Sequence, residues 1–215
     1  MKPLLLSLTL AASAFGATSE VILKNDQVEI VKVLAEPAHK TRDHEHKINR
    51  VMIYLDAGGQ VTTYADGNVI RQPWKAGEAL WSPAEGLHRV AYETTAPVGL
   101  VKVELQQNSP VGSPALGPLD PLKVDPAHYA VEFENEQVRV IRVKIPAGAS
   151  APMHAHVRSR AIVYLTPAKF EATTADGVTT QSSFERGDVV WADSALTHRE
   201  VNRGGDFEGV VVELK

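Results

Sequence analysis

Short runs of β-branched and aromatic residues, broken by turn residues, set the pattern of this chain. Val51-Met52-Ile53-Tyr54-Leu55 and Ala161-Ile162-Val163-Tyr164-Leu165 are apolar runs of strand length. Ala65-Asp66-Gly67-Asn68 carries the Asp-Gly pair of a tight hairpin, whose turn needs the positive φ that glycine adopts freely. Gly77 and Gly187 mark turns ahead of Ala79-Leu80-Trp81 and Val189-Val190-Trp191, and strands at Val98 to Leu105 and Gly209 to Leu214 follow. Only the extreme N-terminus looks helical. The spacing predicts an all-β fold, a sandwich or small barrel.

The pattern occurs twice. Asn25-Asp26-Gln27-Val28 returns as Asn135-Glu136-Gln137-Val138, Ala65-Asp66-Gly67 as Ala175-Asp176-Gly177, and Gly77 through Trp81 as Gly187 through Trp191, each displaced by 110 positions. Two tandem β-domains are therefore expected, at 20–106 and 128–215. The connector, 107–127, holds prolines at 110, 114, 118, 121 and 126 and no apolar periodicity, so it is predicted to be extended, with Leu116, Leu119 and Leu122 giving its end some apolar grip. Residues 1–16 combine an early Lys2, the apolar run Leu4 to Ala12 and the small residues Ala12-Ser13-Ala14. That is the pattern of a secretory signal peptide, and its apolar run is well short of the roughly 20 residues of a spanning helix. Export to a periplasmic or secreted location, with no membrane span, is the expectation.

Composition narrows the chemistry. A net charge of −4 and a pI near 6.1 lack the basic surface that attracts nucleic acid. With 44% hydrophobic and 22% charged residues the chain should fold. There is no cysteine, hence neither disulfides nor thiolate metal ligands. No nucleophile elbow and no phosphate-cradling glycine loop occurs, so covalent catalysis is unsupported.

The histidines obey the repeat. His44, His46 and His88 return as His154, His156 and His198, with the same interval from the second to the third in both copies. Alternation along a strand puts His44, His46, Ile48, Arg50, Met52 and Tyr54 on one face, and His154, His156, Arg158, Arg160, Ile162 and Tyr164 on its counterpart. Imidazoles at i and i+2 can converge on one ion at about 2.0–2.1 Å. Tyr54 and Tyr164 point inward, to meet a ligand or fill the barrel. Trp81 and Trp191 are expected in the core and His39 and His128 in loops. Arg42, Asp43, Glu45, Arg89 and Arg199 are read as surface charge.

At these residues the sequence resembles the cupin superfamily, and the whole chain resembles a bicupin. The first cupin motif is matched by Gly148, His154 and His156, and the second by Gly187, His198 and Asn202; the first copy matches the second motif with Gly77, Pro83 and His88. The resemblance implies two tandem jelly-roll barrels with the histidines facing inward, and pairing through sheet edges as a homodimer. It also implies a divalent ion, Fe, Mn, Ni, Cu or Zn, among which imidazoles alone do not choose. Where cupins carry a carboxylate ligand, this chain has Arg50 and Arg160. Pro83 becomes Asp193, the motif's next glycine becomes Glu85 and Ala195, and Asn202 is Tyr92 in the first copy.

A dication and a guanidinium about 6 Å apart at an effective dielectric near 20 repel by about 5 kcal/mol. Either an anion bridges them, or histidines and arginine bind an anion without metal. Guanidinium forks suit carboxylates, so both branches point to a small anionic molecule or sugar acid held by Arg50 or Arg160. Glu200 shares parity with His198 and is expected to neutralise Arg160 or Arg158, and the second copy, which keeps more of the motif, is favoured as the working site. The leading expectation is an exported, metal-dependent bicupin acting on a small carboxylate by oxygenation, decarboxylation, isomerisation or elimination. The alternatives are a non-catalytic module binding an anion or sugar in the same barrel, and a structural domain with vestigial histidines.

Overall fold

The computed structural model describes residues 16–107 and 112–215; the expected signal peptide, Gly16 apart, lies outside them. The chain divides into two compact units, residues 1–108 and 109–215. Unit 1 contains β1 (Ala17–Lys24), β2 (Val28–Ala35), β3 (His44–His46), β4 (Arg50–Tyr54), β5 (Gly58–Tyr64), β6 (Val69–Trp74), β7 (Ala79–Ser82), β8 (Glu85–Tyr92) and β9 (Val98–Leu105). Unit 2 opens with a one-turn helix, α1 (Pro121–Val124), and continues with β10 (Tyr129–Glu134), β11 (Val138–Ile145), β12 (Ser150–His156) and β13 (Arg160–Tyr164). It is completed by β14 (Ala168–Thr174), β15 (Thr179–Phe184), β16 (Val189–Ala192), β17 (Leu196–Asn202) and β18 (Phe207–Leu214).

Each unit is a jelly roll of two antiparallel sheets. Unit 1 orders them β1-β2-β9-β4-β7 and β3-β8-β5-β6, and unit 2 repeats this as β10-β11-β18-β13-β16 and β12-β17-β14-β15. The repeated tetrapeptides are turn locks. Asn25 Oδ1 accepts from the Gln27 and Val28 amides at 2.9 and 2.8 Å, and Asn135 Oδ1 does the same for Gln137 and Val138. Glu78 and Asp188 likewise accept from the Lys75 and Glu185 amides at 2.7 and 2.8 Å, ahead of Gly77 and Gly187, which both adopt positive φ. These short side-chain-to-amide bonds fix where each strand starts, and hence which side chains face inward.

Between the two sheets of unit 1 pack Val33, Ala35, Met52, Tyr54, Trp74, Val98 and Leu100; in unit 2 Tyr129, Ile141, Val143, Ile145, Tyr164, Phe170 and Phe207 do so. The buried tryptophan is Trp74, whereas Trp81 and Trp191 are only half-buried, which corrects their expected place in the core. The connector is not wholly extended: it holds the helix α1, which the sequence pattern does not predict there. Asp120 caps α1 by accepting from Leu122 N, Pro121 occupies the first turn, and Leu122 packs on the unit 2 core. Leu119 O accepts from Ala155 N at 2.8 Å, so the segment straps β12 between its two histidines. Among the described residues no helix is long and apolar enough to cross a membrane.

Candidate metal centres

The run from His44 to Tyr54 is not one strand. It turns at Lys47–Asn49, placing β3 in one sheet and β4 in the other, and the second copy breaks the same way between β12 and β13. The residues still converge, because the two sheets face each other across the interior: His44, His46, Arg50, Met52 and Tyr54 all line one cavity. His88 stands directly opposite His44 in the β3–β8 ladder, and His198 opposite His154 in β12–β17.

In each unit three imidazole nitrogens lie within 4.8 Å of one another. Ring centroids are 4.9, 4.5 and 5.3 Å apart in unit 1, and 4.9, 4.5 and 5.5 Å apart in unit 2. Backbone carbonyls two residues upstream fix the tautomers. His44 Nδ1 donates to Arg42 O at 2.8 Å, His88 Nδ1 to Gly86 O at 2.6 Å and His154 Nδ1 to Pro152 O at 2.8 Å. Each of these rings therefore turns an unprotonated Nε2 toward its partners, the arrangement of metal-binding histidines. Burial, helped by Arg50 and then by the neighbouring histidines and Lys102, lowers the His46 pKa to about 3. Burial likewise lowers His154 to about 4 and His198 to about 3, and pulls His156 down. Neutral, convergent imidazoles fit a divalent ion.

The surroundings differ. Unit 1 encloses a cavity of about 390 Å³ whose wall includes Tyr54, Thr62, Tyr92, Glu85, Arg50 and Lys102. Arg50 is buried, and its Nε and Nη1 have no hydrogen-bond partner among the described residues. Lys102, on β9, is pulled below the ordinary lysine pKa by burial and then by Arg50, against an opposing pull from Glu104. Glu85 Oε2 approaches His88 Nε2 to 3.6 Å. A carboxylate thus lies beside the triad from the start of β8, where the motif has glycine. Trp81 lines this cavity.

Unit 2 has a smaller cavity of about 190 Å³, walled by Tyr129, Tyr164, Phe170, Phe184, Phe207, Arg160, His156, His198 and Glu200. His154 is wholly buried behind it. Arg160 Nη1 is held by the carbonyls of Arg158 and Ser194 at 3.1 and 3.3 Å. Glu200 does not neutralise Arg158 or Arg160: it accepts from Tyr129 OH at 3.0 Å, and burial raises its pKa to about 7. The acid beside Arg158 is Glu213, at 4.0 Å. Glu213 also binds Arg139, lies 3.9 Å from His156 Nδ1, and shares Arg139 with Asp120 of the strap. Asn202 is a staple, not a ligand. Its Nδ2 donates to the Ile145, Pro146 and Gly205 carbonyls at 2.8, 3.2 and 2.7 Å.

No family model and no curated protein matches the sequence. Among solved structures, AerE from Microcystis aeruginosa superposes with a TM-score of 0.72 at 15% identity, covering 97% of each chain. A cupin 2 conserved barrel domain protein from Leptotrichia buccalis gives 0.59 at 12% identity over 96% of this chain and 92% of its own. Bacillus subtilis oxalate decarboxylase, which has Mn(II) centres, gives 0.63 at 14% identity over 93% of this chain and 73% of its own.

The chain has the fold of these cupin structures. Within that cupin fold, the six sequence-predicted histidines form two triads. Arg50 with Tyr54, and Arg160 with Tyr164, face the respective cavities. Arg89 and Arg199 are exposed, as are Arg42, Asp43 and Glu45, and His39 and His128 lie in loops. Sequence reasoning missed Lys102, Glu85, Tyr92 and Tyr129. Lys102 carried a signal, a charged residue at an inward-facing position of a strand that is apolar apart from it, Glu104 and one glycine. Tyr129 carried none beyond opening a strand.

Proposed function

We propose that this chain is a bicupin whose unit 1 binds a divalent metal through His44, His46 and His88, aided by Glu85, and holds a small anionic acid or sugar acid against it. One observation carries this reading: two nitrogens of the buried Arg50 guanidinium, Nε and Nη1, have no partner among the described residues, and Arg50 lines the cavity that the triad faces. A buried donor left unmade costs about 1–3 kcal/mol, more for a charged group, so a carboxylate that meets Arg50 recovers that cost. Lys102 adds a second cation, while the hydroxyls of Tyr54, Tyr92 and Thr62 suit the remaining oxygens. The metal, once bound, would act as a Lewis acid or oxygen-activating centre. The chain's own groups orient the acid, exclude bulk water and keep Glu85 beside His88. The larger, more polar cavity favours unit 1 as the ligand site over the second copy that motif matching favoured. The leader pattern of residues 1–16 supports export, and we place this activity outside the cytoplasmic membrane.

The test is metal content followed by calorimetric titration with short-chain mono- and dicarboxylates and uronic acids. Loss of unit 1 metal in His44→Ala/His88→Ala, and loss of acid binding in Arg50→Met with metal retained, is the expected result. Acid binding that persists in Arg50→Met overturns the anchoring role. A second reading, a metal-free anion-binding barrel, is favoured by Arg50 and Lys102, whose charges both oppose a dication. It predicts undiminished acid binding by chelator-stripped protein.

A further inference from the structure

The two barrels line their cavities with different chemistry at matched positions. Gln60 and Thr62 on β5 line the unit 1 cavity, and their counterparts on β14, Phe170 and Ala172, line that of unit 2. Met52 faces Lys102 across the β4–β9 ladder, whereas Ile162 faces Val211 across β13–β18. Polar positions around one cavity are thus apolar around the other. What remains in unit 2 is a space of about 190 Å³ walled largely by aromatic rings. Tyr164 stacks on Phe184 with centroids 4.1 Å apart, and Phe170 meets Phe207 edge-on at 5.0 Å, so the rings brace one another. An apolar cavity of about 150 Å³ is enough to take up benzene.

A guanidinium stands in that wall. Arg160 is 3% exposed and lines the cavity, and its Nη1 donates to the Arg158 and Ser194 carbonyls. Its Nε is buried with no partner among the described residues. Glu213, opposite it in the β13–β18 ladder, is engaged by Arg139 with Arg158 nearby, and Glu200 is taken by Tyr129. A buried guanidinium with an unmade bond recovers that cost from an anion. The rings around it decide what the rest of the anion is. A polyhydroxylated or doubly charged acid would strand its hydroxyls or second charge against phenylalanine, whereas a ring or branched carbon chain would bury apolar surface there.

We propose that unit 2 is a second ligand site with its own specificity, for a small apolar monocarboxylate of about the size of benzoate. Its carboxylate meets Arg160, and its ring or branched chain lies against Phe170, Phe184 and Phe207. This site is separate from the polar acid site of unit 1 and needs no metal in either triad. The chain then binds two acids of different polarity, one in each barrel.

The probe is para-fluorobenzoate, titrated into the full chain carrying Arg50→Met, which removes the anchor in unit 1, and followed by fluorine NMR. One equivalent bound, displaced by benzoate but not by glucuronate, is the expected result. Arg160→Met should weaken it by about 10–100-fold, the loss of a bond to a charged group, while neutral fluorobenzene still binds and shows the cavity intact. Ala172→Phe, at a half-buried position on β14, fills the space without cutting the core and should abolish binding of both. No binding to the Arg50→Met chain, or unchanged affinity in Arg160→Met, overturns the proposal. So does glucuronate that competes as well as benzoate. Glucuronate that binds the Arg50→Met chain without displacing para-fluorobenzoate overturns the anchoring role of Arg50 alone, so the two failures are distinct.

Discussion

Asp120→Ala is the perturbation on which the account of unit 2 can be judged most sharply. Asp120 accepts from Arg139 Nη1 and Nη2 at 2.8 and 3.2 Å, while Glu213 takes Arg139 Nε at 2.8 Å. All three side chains are at most 4% exposed. With Arg158 beside Glu213, the network carries two cations and two anions, and removing Asp120 leaves one buried positive charge unmatched. Breaking such a pair costs about 3–5 kcal/mol, and losing the cap of α1 about 0.5–2 kcal/mol. The two share one side chain and do not simply add, so about 4 kcal/mol is expected, a large part of the roughly 5–15 kcal/mol that holds a domain together. For a unit of about 100 residues this is a fall in Tm of about 15 °C or more. Urea denaturation and calorimetry would show it in the unit 2 transition, with unit 1 unmoved. Asp120→Ala/Arg139→Met, which removes the orphaned charge, should recover much of the loss. A cost of Asp120→Ala below about 1 kcal/mol would refute the reasoning. So would a double variant no more stable than the single one.

Four further outcomes follow from the geometry. Lys102→Met should raise the stability of unit 1 by about 1 kcal/mol at neutral pH while weakening acid binding, because it removes a poorly solvated charge held for function. The folded pKa of Lys102 lies below the unfolded value, so the folded state releases its proton first and wild-type stability rises as pH climbs between the two. The advantage of Lys102→Met should therefore shrink over that alkaline window in melts at several pH values. Glu85→Gln should weaken metal binding in unit 1 by about 10–100-fold, read by competition with a chelating dye, and leave unit 2 unchanged. Asn202→Ala should destabilise unit 2 by about 2–4 kcal/mol by stranding buried carbonyls, with metal affinity in the surviving folded protein nearly unchanged. A chelator should strip unit 1 first, since His44 and His46 are half-buried whereas His154, His156 and His198 are buried, and time courses in the single-site variants would separate the two rates.

What the sequence made legible was local or repeated. The triads could be read because the histidines recur at the spacing of the strands around them, and the hairpins because Gly67 and Gly177 sit at the one turn position with positive φ. Register was legible for the same reason: Asn25 and Asn135 lock equivalent turns with equivalent bonds. The partners of the histidines were not. Lys102 and Glu213 come from the last strand of each unit, and only the closure of the sheet brings them to Arg50 and His156. Pairing of Arg50 with Glu104 and of Arg160 with Glu213 shows the repeat slipping by one position after Asn202, so a constant offset misaligns the closing strands. Glu200 was assigned to the arginines on parity alone, and parity says nothing about a phenol arriving from β10. The one-turn helix α1 left its Asp-Pro start in the sequence, but four residues are too few to show a helical period.

The same fold thus supports two electrostatic regimes. In unit 1 the positions around the triad are filled by Arg50, Lys102 and hydroxyls, and the space among them remains open at about 390 Å³. In unit 2 the wall is largely aromatic, the space is about half as large, and the cationic Arg160 is tied to backbone carbonyls. Arg50 Nε and Nη1 are buried beside the unit 1 cavity without a hydrogen-bond partner among the described residues. The unit 2 triad has Phe170, Phe184 and Phe207 in the wall of its cavity and the buried Glu213, Arg139 and Asp120 network behind His156. The strap that carries Asp120 also grips β12 between His154 and His156, so the connector helps fix the strand that carries two histidines of the second triad.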